Sequence, residues 1–350
     1  MVTVILPIFN EVKHIEKTIN AILNQDFNNS MVEIIIADGI SNDGTREKLN
    51  NYENNYPNII LIDNPDKIVP AGFNRALTIA KGDIIIRVDG HTILEPDYIS
   101  KCVDLIKEKN VANVGGPMNV IWEDIFDGVV AIATSSKFGI GNAAFHYSKK
   151  GQYVDTVYLG AWKKSIFDKV GGFDQELVRN QDDEFNFRLI QAGEKIWLDP
   201  QIKSKYHPRN SITKLFKQYF QYGFYKVRVA QKRRGISSLR QLIPAFFVFT
   251  ILVSIVMLRF SFLPIIFSLG TYTIANFFMT ILNVSKKISS EELKNRNDIS
   301  RLDFFIKSVF YLPVTYFTLH FSYGLGYLSG LLYFVKKWGS IKLEDNYFVR

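Results

Sequence analysis

The sequence predicts an α/β domain built on a mostly parallel, Rossmann-like sheet with helices on both faces, followed by α-helical membrane segments. Three observations carry this reading. Short β-branched runs alternate with helix-spaced segments through the N-terminal half, the pattern of a sheet covered on both faces. Three uncharged apolar stretches follow, at about 241–258, 260–283 and 308–335. Charge divides the chain the same way: residues 1–206 carry 22 Lys and Arg against 28 Asp and Glu, whereas 207–350 carry 20 against 6. With 350 residues, 47% of them hydrophobic, there is chain enough for one large core and a smaller second part.

Val2–Ile8 is a β-branched run ended by Pro7 and Asn10. Glu11–Leu23 then places apolar residues at Val12, Ile15, Ile19, Ile22 and Leu23, a helical spacing. Glu33–Ala37 is a second strand closing on Asp38-Gly39. The turn residues Ser41 to Thr45 lead into a helix over Arg46–Tyr52, with Asp43 read as its cap. Asn58–Ile62 is a third strand, Pro70–Ala80 a helix, Lys81-Gly82-Asp83 a turn, and Ile84–Val88 the fourth and most apolar strand. In such sheets ligands sit outside the carboxyl ends of the strands. The Pro7–Glu11 turn, Asp38 and Asp89 therefore face a ligand crevice.

Arg209–Arg240 holds nine basic residues and no acidic one and runs straight into the first apolar stretch. That juxtaposition indicates an anionic membrane surface and argues against nucleic acid, for which no motif is present. Lys214–Arg234 reads as an amphipathic helix lying on the membrane, with Tyr219, Phe220, Tyr222, Phe224 and Tyr225 at the interface. The second and third apolar stretches are long enough to cross a bilayer. The first is marginal, with Arg240 and Arg259 placed to snorkel. In the third, Pro313, Gly324, Gly326 and Gly330 either interrupt a single tilted span or permit a re-entrant fold. Lys286, Lys287, Lys294, Arg296 and Arg301 place the 286–303 loop inside by the positive-inside rule, and Lys336 and Lys337 follow the last stretch. Val2–Phe9 is too short for a signal peptide and has no basic lead, so the N-terminal domain is expected in the cytoplasm, beside the inner membrane. The expected organisation is a catalytic domain at 1–206, a basic interfacial region at 207–240, membrane segments within 241–335 and a tail at 336–350. The single cysteine, Cys102, offers neither a disulfide nor a zinc site.

Asp89 and His91 flank a glycine just after the fourth strand. From an extended segment they can face one way and offer an oxygen and a nitrogen to one divalent cation. One carboxylate, one imidazole and bound phosphates suit Mg²⁺ or Mn²⁺. The competing reading is a solvated turn.

Four ordered stretches, VTVILPIFNE, EIIIADGISNDGT, KGDIIIRVDGH and VGGFDQELVRNQDDEFNFRL, resemble the family 2 glycosyltransferases of the GT-A fold. The resemblance covers roughly 1–230, and DGH with EFNFRL is similar to the succinoglycan-biosynthesis bacterial branch. It implies that Pro7, Asn10, Glu11 and Asp38 line the nucleoside site of a nucleotide-sugar, uridine being favoured. It implies that Asp89-Gly90-His91 stands in for the family's Asp-X-Asp motif, which binds the metal and the diphosphate. An imidazole here replaces the second carboxylate. Arg75 is either a diphosphate contact or a solvated helix residue. The family's base is the aspartate of an acidic pair heading a helix; in NQDDE this matches Asp182, with Asp183 as the alternate, since acids also complement a helix N-terminus. Trp162 either stacks on an acceptor sugar or packs in the core, and His207 is a candidate metal or diphosphate contact.

The implied reaction is a single inverting displacement by an acceptor hydroxyl. A nucleotide-sugar is the donor, and a lipid-linked saccharide or polysaccharide precursor in surface glycan synthesis is the acceptor. Processive synthases of this type carry a Gln-X-X-Arg-Trp motif, which QYFQYGFYKVR lacks, so one sugar per acceptor is expected. A nucleotidyltransferase would want a Gly-rich, basic first turn, which PIFNE does not supply. A non-catalytic membrane scaffold of the same fold would have no need of Asp89 and Asp182, and both are present.

Overall fold

The computed structural model describes residues 1–141, 144–146, 148–208, 210–235, 239–296 and 298–335. The tail expected at 336–350, with Lys336 and Lys337, and Arg209 lie outside the described residues. The described residues form two compact units, and the chain enters the second one twice: 120–141 belongs with the described residues of 208–335, while Met1–Asn119 and those of Ala144–His207 form the first.

In chain order the elements are β1 (Val2–Ile8), α1 (Ile15–Leu23), β2 (Val32–Asp38), α2 (Thr45–Asn55), β3 (Ile59–Asp63), α3 (Val69–Ile79), β4 (Ile84–Arg87), β5 (Thr92–Leu94), α4 (Tyr98–Glu108), β6 (Asn113–Gly116) and β7 (Met118–Val120). After α5 (Ile125–Ser135) and α6 (Lys137–Ile140) come β8 (Gln152–Tyr153), β9 (Tyr158–Lys163), α7 (Ser165–Val170), α8 (Gln181–Gln191), β10 (Ile196–Leu198) and β11 (Ser204–Tyr206). The second unit continues with α9 (Ile212–Lys232), α10 (Ile243–Met257), α11 (Leu263–Ile288), α12 (Glu291–Lys294) and α13 (Arg301–Phe334).

The first unit is an eight-stranded sheet in the order β3-β2-β1-β4-β9-β6-β10-β8. β1 pairs in parallel with β2, from Val2↔Val32 to Ile8↔Asp38, and with β4, from Val2↔Ile84 to Ile5↔Arg87. All seven residues of β1 and of β2 are buried, as strands covered on both faces must be. The sheet is less uniform than the spacing predicts. Gly160, Ala161 and Trp162 form the middle of β9, which lies antiparallel to both β4 and β6. The helix α7 follows it. Leu159 and Gly160 both have positive φ, 62° and 101°, and the β6–β9 register shifts between Val114 and Gly116, so the strand carries a bulge.

Hydrophobic side chains cover both faces of this sheet. One layer packs Ile15, Ile19 and Ile22 of α1 and Tyr98, Cys102 and Ile106 of α4 against β1, β2 and β4. The other is built around Phe73, Trp162, Phe167, Phe173 and Phe185.

In the second unit three helices are long and apolar enough to cross a membrane: Leu239–Met257, Leu263–Ile288 and Arg301–Phe334. The third apolar stretch is one helix, α13, with Pro313 inside it, so neither a break nor a re-entrant turn occurs. Its 34 residues span about 50 Å at ~1.5 Å per residue, more than a ~30 Å hydrocarbon layer. The glycines that read as interruptions are places of close approach. A Cβ on Gly324 would overlap the Pro244 carbonyl of α10, and one on Gly326 the Phe220 carbonyl of α9. The same seam corrects the interfacial reading of α9. Phe224 and Tyr225 are 3% and 0% exposed, and both pack on Phe334. Tyr219, Phe220 and Tyr222 remain half-buried.

The 120–141 segment, placed within the catalytic domain by the sequence reading, is held inside this second unit. Trp122 donates its indole N–H to Glu292 and lies between Lys287 and Arg296, at 5.0 and 4.5 Å from its ring centroid. Tyr316 donates to Ser136 Oγ at 2.9 Å, and His320 Nε2 meets the Phe138 carbonyl at 2.8 Å. The apolar run of α5 explains the placement: Val129, Val130, Ile132 and Ala133 are core residues shared with Phe304, Leu312 and Tyr316 of α13.

Candidate active site

The carboxyl ends of β1, β2 and β4 carry three turns that are tied to one another. Asn10 holds the left-handed backbone (φ 56°) that Asn tolerates, which turns its amide toward Ser41 Oγ at 2.9 Å. Its Oδ1 accepts the Asn42 N–H at 3.0 Å, Glu11 N donates to Thr45 Oγ1 at 2.9 Å, and Val12 N donates to Asp43 at 3.2 Å. The N-cap position of α2 falls on Gly44, and Asp43, read as the cap, instead ties this loop to Val12 and Thr45. Burial pushes its carboxyl up, but the hydrogen bonds from Thr45 and Val12 outweigh this and hold it below the usual carboxylate range.

Pro7 is buried in β1 and pairs only with Ala37, the β4 ladder having ended at Ile5↔Arg87. Asp38, at the end of β2, is 0% exposed. It accepts from Ser41 Oγ at 2.5 Å and from Arg46 at 3.0 Å, and Arg46 also reaches Asp63 at 2.7 Å. Its carboxylate therefore anchors the loop that holds Asn10.

The β4 turn is the most highly charged part of the site. Arg87, the last residue of β4, is 7% exposed and sends both Nε (3.1 Å) and one terminal nitrogen (2.8 Å) to Asp89 Oδ1. Burial opposes the Arg87 charge. The carboxylates of Asp89 and then Asp182 overcome that opposition and raise its proton affinity. Gly90 is closely packed: a Cβ there would sit 2.7 Å from Ile8 Cδ1 and 2.9 Å from Glu11 Cγ, so those side chains would have to shift. Its carbonyl accepts from Thr18 of α1 at 3.0 Å. His91 Nδ1 meets Glu11 Oε1 at 3.0 Å, and its ring stands 5.4 Å from that of Tyr206. The His207 ring lies 5.2 Å from His14. Burial first and His207 second push the His14 imidazole below its ordinary value, against the pull of Glu11.

Asp182 and Asp183 open α8, after Asn180 in left-handed backbone (φ 61°). The helix is fastened along its length. Asn186 bonds Thr156 at 2.9 Å and Asn113 at 3.0 Å, and Arg188 bonds Glu184 at 2.7 Å and the Val170 and Gly172 carbonyls. Asn74 of α3 makes a two-way bridge to the Phe173 backbone, at 2.7 and 2.8 Å, which fixes the loop leading into α8.

The structure thus links Glu11 to His91 and Asp89 to Arg87, stands His207 beside His14 and Tyr206 beside His91, and leaves Asp182 near enough to Arg87 for their charges to interact. Two expected positions fall elsewhere. Trp162 is 1% exposed and packs edge-on to Phe73, Phe173 and Phe185, so it is a core residue and has no face for an acceptor sugar. Arg75 forms an exposed ion pair with Asp66 at 2.9 Å, the solvated alternative. Sequence reasoning missed Arg87, Arg46, His14 and Tyr206. A signal existed for Arg87 alone: an arginine ending a strand of three isoleucines has to find a counter-charge.

Asp89 and His91 suit a hard divalent cation. With Glu11 on His91 Nδ1, Nε2 is the nitrogen that would ligate a cation, as in carboxylate–histidine–metal arrangements. Arg87 bonds Asp89 at Oδ1. Among the described residues no three His, Cys, Asp or Glu side chains form a metal group. A two-donor set fits Mg²⁺ or Mn²⁺ with phosphate oxygens and water filling the shell.

The family model described as Glycosyl transferase family 2 matches residues 3–162. The chain is 31% identical over 243 residues to the succinoglycan biosynthesis protein ExoA of Rhizobium meliloti, covering 69% of this chain and 73% of that one. It is 31% identical over 259 residues to a dolichyl N-acetyl-α-D-glucosaminyl phosphate 3-β-D-2,3-diacetamido-2,3-dideoxy-β-D-glucuronosyltransferase of Methanococcus voltae, covering 72% and 80%. Among solved structures, the mannosyltransferase PcManGT of Pyrobaculum calidifontis, in complex with GDP-Man and Mn²⁺, aligns with a TM-score of 0.56 at 16% identity, over 94% of this chain and 86% of that one. A mostly parallel sheet covered by helices, with carboxylates at its strand ends, is a GT-A-type framework. The chain belongs to the family 2 glycosyltransferases.

Proposed function

We propose that this enzyme is an inverting, metal-dependent glycosyltransferase that takes its sugar from a nucleotide-sugar, a UDP-sugar by family likeness. It delivers the sugar to a lipid-linked saccharide or polysaccharide precursor. The observation that carries this reading is the buried guanidinium of Arg87, which is bonded to Asp89 and acted on by Asp182. It supports a single cleft in which the diphosphate end and the base end meet.

Asp182, with Asp183 as the alternate, takes the proton of the acceptor hydroxyl as that oxygen attacks the anomeric carbon opposite the leaving nucleoside diphosphate. One displacement inverts the centre. Asp89 and His91 hold Mg²⁺ or Mn²⁺, with His207 as a further contact. When bound, the cation supplies charge stabilisation to the leaving diphosphate. Pro7, Asn10 and Glu11 form the nucleoside end, and Asp38 acts there through the Ser41 loop it anchors.

Three membrane-length helices, Lys286 and Lys287 in the last turn of the second, and Lys294 and Arg296 between it and the third support a cytoplasmic catalytic unit on the inner membrane, where a lipid-linked acceptor resides. The Methanococcus voltae relative, named for a dolichyl-linked sugar phosphate, supports the same acceptor class. The test is nucleoside-diphosphate release by membranes containing the protein, from a panel of UDP-, GDP- and dTDP-sugars, with Mg²⁺, Mn²⁺ or EDTA. We expect one donor to be used, activity to vanish with EDTA, and the product anomer to be inverted by NMR. Release that persists in EDTA, or a retained anomer, would contradict the proposal.

A further inference from the structure

Asn113 is a polar residue in the middle of an apolar row. It is the first residue of β6, and its register partners on either side are Trp162 of β9 and Ile196 of β10, so the three side chains share one face of the sheet. That face carries the layer of Phe73, Trp162 and Phe173, and α8 covers it with Phe185 and Leu189. Yet α8 brings Asn186 to the same place. Asn113 and Asn186 are 0% and 1% exposed; Asn113 Nδ2 donates to Asn186 Oδ1 at 3.0 Å, and Asn186 Nδ2 donates onward to Thr156 Oγ1 at 2.9 Å. Among the described residues Asn113 Oδ1 and Trp162 Nε1 have no hydrogen-bond partner. A buried polar chain satisfied only in part adds no more stability than an apolar pair of the same shape would.

What the chain does supply is direction. Phe185 and Leu189 pack through non-directional contacts that tolerate small slides and rotations of the helix, whereas a hydrogen bond between two amides is made at one axial position and one rotation. Asp182 stands one turn before Asn186 on the same face of α8, about 6 Å along the axis. A one-residue slip turns the helix by about 100° and puts Asp183 where Asp182 was. We propose that Asn113 and Asn186 are positioning residues: their hydrogen bond, continued to Thr156, sets the register of α8 on the sheet and so the place of the Asp182 carboxylate. This rests on the reading of Asp182 as the base.

The test uses the full chain in detergent, with nucleoside-diphosphate release and thermal unfolding measured on the same samples. The double variant Asn113→Leu with Asn186→Leu replaces both amides by side chains of nearly the same shape and leaves Thr156, which is half-buried, to turn to water. It is expected to melt within about 3 °C of the parent or above it. Its kcat is expected to fall at least about tenfold with donor KM within about twofold of the parent, because Asn10 and Asp38 stand on other elements. Asn186→Leu alone, which leaves the Asn113 amide buried without its partner, is expected to melt lower than the double variant. A folded double variant with parental kcat overturns the proposal, as does one whose donor KM rises in step with the loss of kcat. Should the double variant melt far below the parent or fail to fold, Thr156→Val, which cuts only the outer bond, decides: a kcat lowered at least about twofold at unchanged KM supports register control, and parental kcat overturns it. Asp182→Asn separates the two claims. Full activity in that variant removes the base assignment and this inference with it; if it is inactive while the double variant turns over at the parental rate, only this inference fails.

Discussion

Glu11 is the residue on which the first turn and the Asp89–His91 turn converge. Its backbone N–H is held by Thr45, its side chain holds His91 Nδ1, and it packs against Gly90. A carboxylate behind a ligating imidazole fixes the ring and raises its basicity, so Glu11→Gln keeps a hydrogen bond and loses that push. We expect the Mn²⁺ concentration for half-maximal activity to rise about 10–100-fold in Glu11→Gln, with little change in thermal stability. A metal titration of the variant checks this, and an unchanged half-saturation would place Glu11 outside the cation site. At this scale the sequence was informative where chemistry is local. Asp89, His91 and the 41–45 turn announce themselves by residue type and spacing. Asp38 ends a strand and reads as a ligand contact, yet it is 0% exposed and bonded by Ser41 and by Arg46, eight residues on, a partner that no local pattern reveals. His14 reads as an ordinary helix-start residue until the fold brings His207 to it.

Elements formed by strong periodicity were legible, and those decided by tertiary pairing were not. β1 to β4 and α1 to α3 follow from β-branched runs and helix-spaced apolar positions. β9 does not, because YLGAWK has no clean alternation; its strand character comes from pairing between β4 and β6. In α13 the local preferences of Pro313 and three glycines point to a break, yet the helix runs through 34 residues because its neighbours pack against it. The glycines make this packing possible. Gly326→Leu drives a side chain into the Phe220 backbone, which cannot rotate away, and is expected to cost at least about 2–3 kcal/mol of stability. Gly270 of α11 has nothing within 4 Å of an added Cβ, so Gly270→Leu serves as the tolerated control. Thermal unfolding of both variants in detergent checks the pair, and equal melting temperatures would contradict the seam.

For the whole molecule, the change of charge along the chain separated a catalytic part from a membrane part, while the division itself is not a single cut. Residues 120–141 leave the catalytic sequence to join the apolar helices, because α5 buries its Val and Ile side chains there and Trp122 is clasped by Lys287, Glu292 and Arg296. Such an excursion is invisible to composition, since a short apolar helix is equally at home in a soluble core. What unites the account is the claim that Asp182 is the base of an inverting transfer whose diphosphate end is marked by Asp89. The most direct measurement compares donor-dependent nucleoside-diphosphate release by the parent, Asp182→Asn and Asp183→Asn under the donor and metal conditions that support the parent. The account predicts a loss of about 10²–10⁴-fold in kcat for Asp182→Asn with a near-parental donor KM, and a much smaller effect for Asp183→Asn. Full activity in Asp182→Asn, with activity abolished in Asp183→Asn, would contradict it and move the base one residue along α8.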